Sequence, residues 1–168
     1  ISAGDTITGS VKTDGTLWMW GRNQNGQLGQ NERNVSYSSP VQIPGTNWER
    51  INVGYNAIHA TKQDGTMWAW GYNDKGALGN NSNSDDGQPS YSSPIQVGTD
   101  TNWTYVVCEP YNSNCALKTD NTLYSWGYNV YGDLGQGDKV DRSSPTQIDG
   151  AWSGVSATSQ GFILYKEP

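Results

Sequence analysis

The stretch that decides the fold is KTDGTLWMWGRNQNGQLG at residues 12–29, because it comes back twice, as KQDGTMWAWGYNDKGALG at 62–79 and KTDNTLYSWGYNVYGDLG at 118–135. Each copy leads into Ser-Ser-Pro and a short alternating run (40–43, 94–97 and 145–148), then into Trp48, Trp103 or Trp152. A recurrence this dense, at intervals of about fifty residues, marks one supersecondary unit repeated along the chain. The two ends share its phase: residues 1–4 match 51–54, and 155–168 match 51–64. The units therefore run over about 1–50, 51–105 and 106–154, with a partial fourth at 155–168.

Within a unit the signals are those of β-structure. Asp14-Gly15 and Asp64-Gly65 stand between short alternating or apolar runs, which predicts hairpins closed by type I′ turns. Asp120-Asn121 fills the same place in the third unit, where Asn tolerates the left-handed conformation. Strands are expected over 57–62 and 66–71. The proline of Ser-Ser-Pro opens a third, where its missing N–H costs the ladder nothing, and 48–53 supplies another. No stretch has apolar residues at the 3.6-residue period of a helix. Four short strands per unit, repeated, predict an all-β fold: a partial β-propeller of three four-stranded antiparallel blades plus the first strands of a fourth.

Composition agrees and narrows the function. Only 33% of the 168 residues are hydrophobic, yet 8 are Trp and 10 are Tyr. The core is expected to be aromatic rather than aliphatic, since each such ring buries on the order of 150–250 Å². A net charge of −6 argues against nucleic-acid or anionic-membrane binding, which need clustered Lys and Arg. No apolar run approaches the ~18 residues of a membrane span, so membrane insertion is not expected.

The recurring residues read as scaffold. Gly21, Gly71 and Gly127 follow a Trp at a strand end, where a tight turn needs positive φ; a phosphate-cradling loop would need a helix N-terminus or a Lys and Ser/Thr at fixed offsets, and has neither. Trp20, Trp70 and Trp126 recur at one phase and Trp48, Trp103 and Trp152 at another, which predicts packing between adjacent sheets. Trp18, Trp68 and Tyr124 form a further row, and at least one row is expected to reach solvent. Asp14, Asp64 and Asp120 belong to turns. His59 is the single histidine, without a neighbouring acid, Ser or Cys motif, and nothing has zinc-ligand spacing, so no catalytic residue, metal or cofactor is expected.

Function on a repeat scaffold sits in its exceptions. One is the long loop 80–93, with Asp85, Asp86 and Tyr91. Alternating Asn81, Asn83 and Asp85 faintly resemble a calcium loop, but Asp86 stands where Gly is needed and Ser92 where a bidentate Glu is needed, so an exposed contact loop is the stronger reading. The other is the stretch from Cys108 to Cys115, which holds both cysteines. They bracket a six-residue connection between two predicted strands, compatible with a disulfide or with two buried thiols. Tyr37, Tyr55, Tyr72, Tyr91, Tyr111 and Tyr128 fall in predicted loops, as candidate binding anchors.

The combination of D-G-T-L-W-x-W-G, N-x-x-G-x-L-G and S-S-P-x-Q-I resembles the repeat of the regulator of chromosome condensation family, over essentially the whole chain. The resemblance implies a propeller, usually of seven blades with one repeat each, and the wording is most similar to bacterial and bacteriophage copies. Three and a quarter units do not close such a ring, so further blades of the same polypeptide or other protein subunits are expected to cover the open faces. The expected role is a non-enzymatic interaction or structural module of a surface-exposed assembly, a virion or bacterial surface, in attachment or decoration. The alternatives are an exchange factor for a small GTPase, as the family implies, and a loop-presenting enzyme inhibitor. An extracellular or virion-surface location follows from the same resemblance.

Overall fold

A computed structural model of the chain describes residues 1–84, 90–158 and 161–166. The first sheet takes its strands in chain order: β1 (Ser2–Ala3), β2 (Ile7–Val11), β3 (Leu17–Gly21) and β4 (Tyr37–Gln42). The second is β5 (Trp48–Val53), β6 (Ala57–Lys62), β7 (Met67–Tyr72) and β8 (Ser90–Gln96), and the third β9 (Trp103–Cys108), β10 (Ser113–Lys118), β11 (Leu123–Gly127) and β12 (Arg142–Ile148). A hairpin of β13 (Gly154–Ala157) and β14 (Phe162–Tyr165) begins a fourth. Every pairing is antiparallel. β1 and β2 lie against β5, β5 and β6 against β9, and β9 and β10 against β13, so the opening strands of successive sheets meet. That is the radial stacking of propeller blades. Blades divide in the segments after β4, β8 and β12, whereas the sequence phase placed its divisions inside β5 and β9.

The hairpins differ from the expected turn. Only the last loop residue, Gly15, Gly65 or Asn121, has positive φ (78°, 77° and 64°). Lys12 N–H bonds to Thr16 and Gly15 N–H to Lys12, which is a three-residue loop ending in a left-handed residue rather than a type I′ turn. Asp14 is needed here for another reason: its carboxylate accepts from both the N–H (3.0 Å) and the hydroxyl (2.6 Å) of Thr16, and that hydroxyl accepts from the Trp18 indole at 3.0 Å. Asp64, Thr66 and Trp68 repeat the arrangement. The hydroxyl of Thr16, Thr66 or Thr122 holds each aspartate (Asp14, Asp64, Asp120) below its ordinary pKa.

Blade-to-blade docking follows one rule. Trp70 Nε1 donates to the Gln27 carbonyl of the preceding blade at 2.8 Å, and Trp126 Nε1 to the Ala77 carbonyl at 2.9 Å. Both indoles are fully buried. The pairing between the third and fourth strands of a blade shifts register at this tryptophan, a bulge that re-aims its side chain. Gly79 makes the room: a Cβ there would come within 2.8 Å of the Trp126 ring nitrogen. Leu28 and Leu78 fill the seam beside the rings, each tied down by its N–H to the side chain of Asn23 or Asn73 (2.9 and 3.0 Å). Each seam is a core of its own. Ile7, Leu17, Met19 and Leu28 pack on Trp48, Ile58 and Trp70, while Ala69 and Leu78 of the second blade pack on Trp103 and Trp126 of the third.

Between blades two and three, His59 meets Cys108, with Nδ1 and Sγ 3.3 Å apart, against the edge of the Trp126 ring. Sequence alone placed no cysteine beside His59; the register of two different blades does so. It also separates the cysteines. Cys108 pairs with Asn114, and Cys115 with Val107, so the two thiols point to opposite faces of one sheet and both are free. The disulfide reading is corrected accordingly. Burial pushes both thiols up and drives the His59 imidazole down to about 3. Neither partner is charged near neutrality, the reverse of a thiolate–imidazolium nucleophile.

Two outcomes are expected. Trp126→Phe, which removes one of the two donors on the Ala77 carbonyl (Asn114 Nδ2 still reaches it at 3.0 Å) and leaves space in the seam, lowers stability by about 1–3 kcal/mol; Trp20→Phe, at a half-buried ring with no blade in front of it among the described residues, moves it by less than about 0.5 kcal/mol in the same denaturant titration. For His59, the folded state rejects a proton that the unfolded chain accepts near pH 6.5, so its contribution is complete above that pH and declines as pH falls toward 3. Melting between pH 6.5 and 4.5 should show the loss, at most about 1.4 kcal/mol per pH unit, and His59→Phe should abolish it.

Candidate interaction site

The turns joining the first two strands of each blade (4–6, 54–56 and 109–112) crowd against the loops that leave Gly21, Gly71 and Gly127, all at one end of the propeller. The approach is close because the backbone demands it. A Cβ on Gly127 would lie 2.0 Å from the Asn112 carbonyl, and that carbonyl accepts from Tyr128 N–H. The same geometry serves Gly71 and Asn56. Side chains on the two loop sets are thereby brought together from distant parts of the chain.

What they carry changes from blade to blade. The turn position is Asp5 in the first blade but Tyr55 and Tyr111 in the second and third; the residue after the glycine is Arg22, then Tyr72 and Tyr128; three positions on come Asn25, Lys75 and Tyr131. Tyr55, Tyr111 and Tyr131 are 45%, 58% and 77% exposed. Tyr111 and Tyr128 are shared by two adjoining cavities of about 580 and 700 Å³, the first also lined by Glu109, Tyr131 and Asp133, the second by Tyr55, Asp74 and Lys75. Tyr128 and Tyr131 meet edge to face, with centroids 6.4 Å apart.

The third blade also departs in its backbone. Gly4 and Gly54 bond through N–H to the residue three positions on, but Glu109 N–H reaches Ser113, four positions on. One extra residue is accommodated, with Pro110 exposed and Asn112 left-handed at φ 69°. Glu109 is 1% exposed, and its Oε2 has no hydrogen-bond partner; Asn112 Oδ1 is likewise buried and unpartnered. Burial raises the Glu109 pKa and the nearby Asp133 carboxylate raises it further, against a hydrogen bond with Ser113 that lowers it.

Of the binding residues expected from sequence, Tyr111 belongs to this groove. Tyr37 does not: it lies on β4 with its hydroxyl on Glu32. Tyr91 packs on β8 against the core of the second seam. Asp85 and Asp86 lie outside the described residues. Glu109 and Tyr131 were not singled out; the signal that pointed to them was the Glu-Pro insertion where the other turns carry glycine. Trp48 and Trp103 are buried at the strand starts, and Trp152 and Trp20 are half-buried. Lys62 stacks over Trp48 and Trp68 at 4.7 and 4.2 Å, and Lys118 over Trp103 and Tyr124 at 4.5 and 4.4 Å, closing the other end of the seams. Among the described residues no three His, Cys, Asp or Glu side chains converge as a metal site would require.

Comparison with known proteins agrees with the geometry. The chain is 30% identical over 159 residues to the ultraviolet-B receptor UVR8 of Arabidopsis thaliana, covering 88% of the chain and 33% of UVR8. Its fold is similar to that of Prp20p from Saccharomyces cerevisiae (TM-score 0.85, 18% identity, 96% of this chain and 42% of that one) and of human WBSCR16 (TM-score 0.82, 20% identity, 97% and 43%). The chain thus spans about a third of the length of its curated relative and less than half of either solved chain. The Regulator of chromosome condensation (RCC1) repeat matches residues 14–57, 64–110 and 120–159, and with the tryptophan seams and glycine-bearing loops in place, the chain belongs to the RCC1 repeat family.

Proposed function

We propose that this chain is a non-enzymatic protein-interaction segment of a propeller, and that it engages its partner through the tyrosine-walled groove of the second and third blades. One observation carries the reading. Three scaffold positions that are polar in the first blade carry tyrosine in one or both of the next two, and Tyr55, Tyr111, Tyr128 and Tyr131 among them line two adjoining cavities. Tyrosine supplies large rigid contact area at low entropic cost, which is why it is enriched at binding hot spots. The open faces of the first sheet and of the β13–β14 hairpin, where Ile163 and Tyr165 are 58% and 50% exposed, would take further blades of the same polypeptide or neighbouring subunits. Placement in a surface-exposed assembly, a virion or cell envelope, for attachment or decoration, is part of the same proposal and rests only on the resemblance of the repeat wording to bacterial and phage copies.

A second reading rests on the likeness to Prp20p, a protein described together with its binding to Gsp1p and histones: a regulator of a small GTPase. At 18% identity the likeness is one of fold.

The deciding experiment starts from the partner cross-linked to the parent chain in the source organism. The triple variant Tyr55→Ser, Tyr111→Ser, Tyr131→Ser should bind that partner at least about a hundredfold more weakly, as expected when hot-spot aromatics are truncated, with an unchanged melting temperature. Asp5→Ala with Asn25→Ala, at the matching positions of the first blade, should bind normally. Equal loss in both variants removes the groove from the account, and accelerated nucleotide release from a small GTPase favours the second reading.

A further inference from the structure

Resting on that reading, we propose that the groove is specific for an arginine side chain of the partner, whose guanidinium docks between the tyrosine rings onto Glu109 and Asn112. Two independent features of the groove converge on this ligand chemistry. The first is the unmet acceptor capacity at the floor. Glu109, which lines the first cavity and is 1% exposed, and Asn112, which lines the adjoining one, each bury a side-chain oxygen (Oε2 and Oδ1) that lacks a donor. Leaving a buried acceptor unpaired is costly, more so for a charged one, so a turn that keeps two such residues recovers that cost when donors arrive from outside. The second is the character of the walls. Tyr111, Tyr128 and Tyr131 line the groove, and the face of a phenol ring attracts cations through its negative quadrupole.

Charge selects among occupants. Asp133 lines the groove with Glu109, and Asp74 lies in the adjoining cavity; the basic residue there, Lys75, already has a partner. An anionic ligand would meet those carboxylates, and an apolar segment would leave both floor acceptors unpaired. An ammonium is a compact, strongly hydrated point. A guanidinium is planar, less hydrated, stacks on an aromatic ring and presents five donors in a fixed fork. It alone satisfies two separate acceptors while lying flat against tyrosine. The raised pKa of Glu109 fits the same picture, because burial, chiefly, and the Asp133 carboxylate disfavour its ionised form and a docked cation would favour it.

The probe is a fluorescent pentapeptide, Gly-Gly-Arg-Gly-Gly, with twins carrying citrulline (same shape, no charge) or lysine, titrated by anisotropy against the full chain. The arginine peptide should bind at least about tenfold more tightly than the citrulline twin, and severalfold more tightly than the lysine twin. Glu109→Gln and Tyr131→Ala should each weaken arginine binding about five- to tenfold. Tyr131 is 77% exposed, so its truncation leaves the fold intact if Glu109→Gln does not. Asp149→Asn, the same loss of charge at an exposed site by the opposite end of β12, should change it by less than about twofold. Equal binding of the citrulline twin overturns the proposal, as does a lysine twin that matches arginine, or a Tyr131→Ala variant that binds like the parent. If the triple tyrosine variant loses the cross-linked partner while arginine and citrulline peptides bind alike, the groove is an interface but not one for a cation.

Discussion

An indole N–H given to a carbonyl of the neighbouring blade is the interaction on which the rest of the molecule depends. Trp70 and Trp126 each make it with no solvent exposure, and each requires a glycine loop in front, a buried leucine beside and a strand bulge behind. A sheet of four short strands cannot bury both of its faces alone. The tryptophan solves this by burying a large apolar surface across the seam while leaving no unpaired donor in it. The constraint explains a composition poor in aliphatics and rich in Trp, and it explains why the repeat is so strictly spelled. Change the phase of any one element and the ring, the carbonyl and the glycine no longer meet.

Because the seams fix the backbone so tightly, the end loops are held in a constant frame and are free to vary in content. The first blade carries Asp5, Arg22 and Asn25 there, the second Tyr55, Tyr72 and Lys75, and the third tyrosine at all three places. Constant and variable positions are thus separated along the strand direction, with lysine–aromatic stacks at the hairpin end and an open tyrosine groove at the other. The insertion of Pro110 shows what the frame tolerates: one more residue in a turn, a left-handed Asn112, and a carboxylate left buried beneath the surface without its full complement of donors. Such a group is costly in a packed interior, and here it lies where tyrosines line a cavity.

The chemistry that is absent from the site is as instructive. His59 and Cys108 come to 3.3 Å, a distance at which a nucleophile and its base operate, yet desolvation moves both toward their neutral forms. Proximity alone does not make a reactive pair. Without a charge or a helix terminus to favour the ions, burial turns the same two residues into a packing contact between blades.

The period of the repeat, the strand count per blade and the antiparallel pairing were all legible in the order of residues, because they follow from local signals: alternation, turn residues and proline. The turn type was not, since Asp14-Gly15 fits two loop geometries and the docking of Trp48 on the Gly15 carbonyl belongs to the next blade. The fate of the cysteines was not either, because strand register decides which face a side chain takes and a shift of one residue reverses it. The groove itself is a product of tertiary structure. Tyr55, Glu109 and Tyr131 are far apart in the chain and carry no common motif, and only the radial stacking of two blades, which brings turns and loops to one end, makes them neighbours.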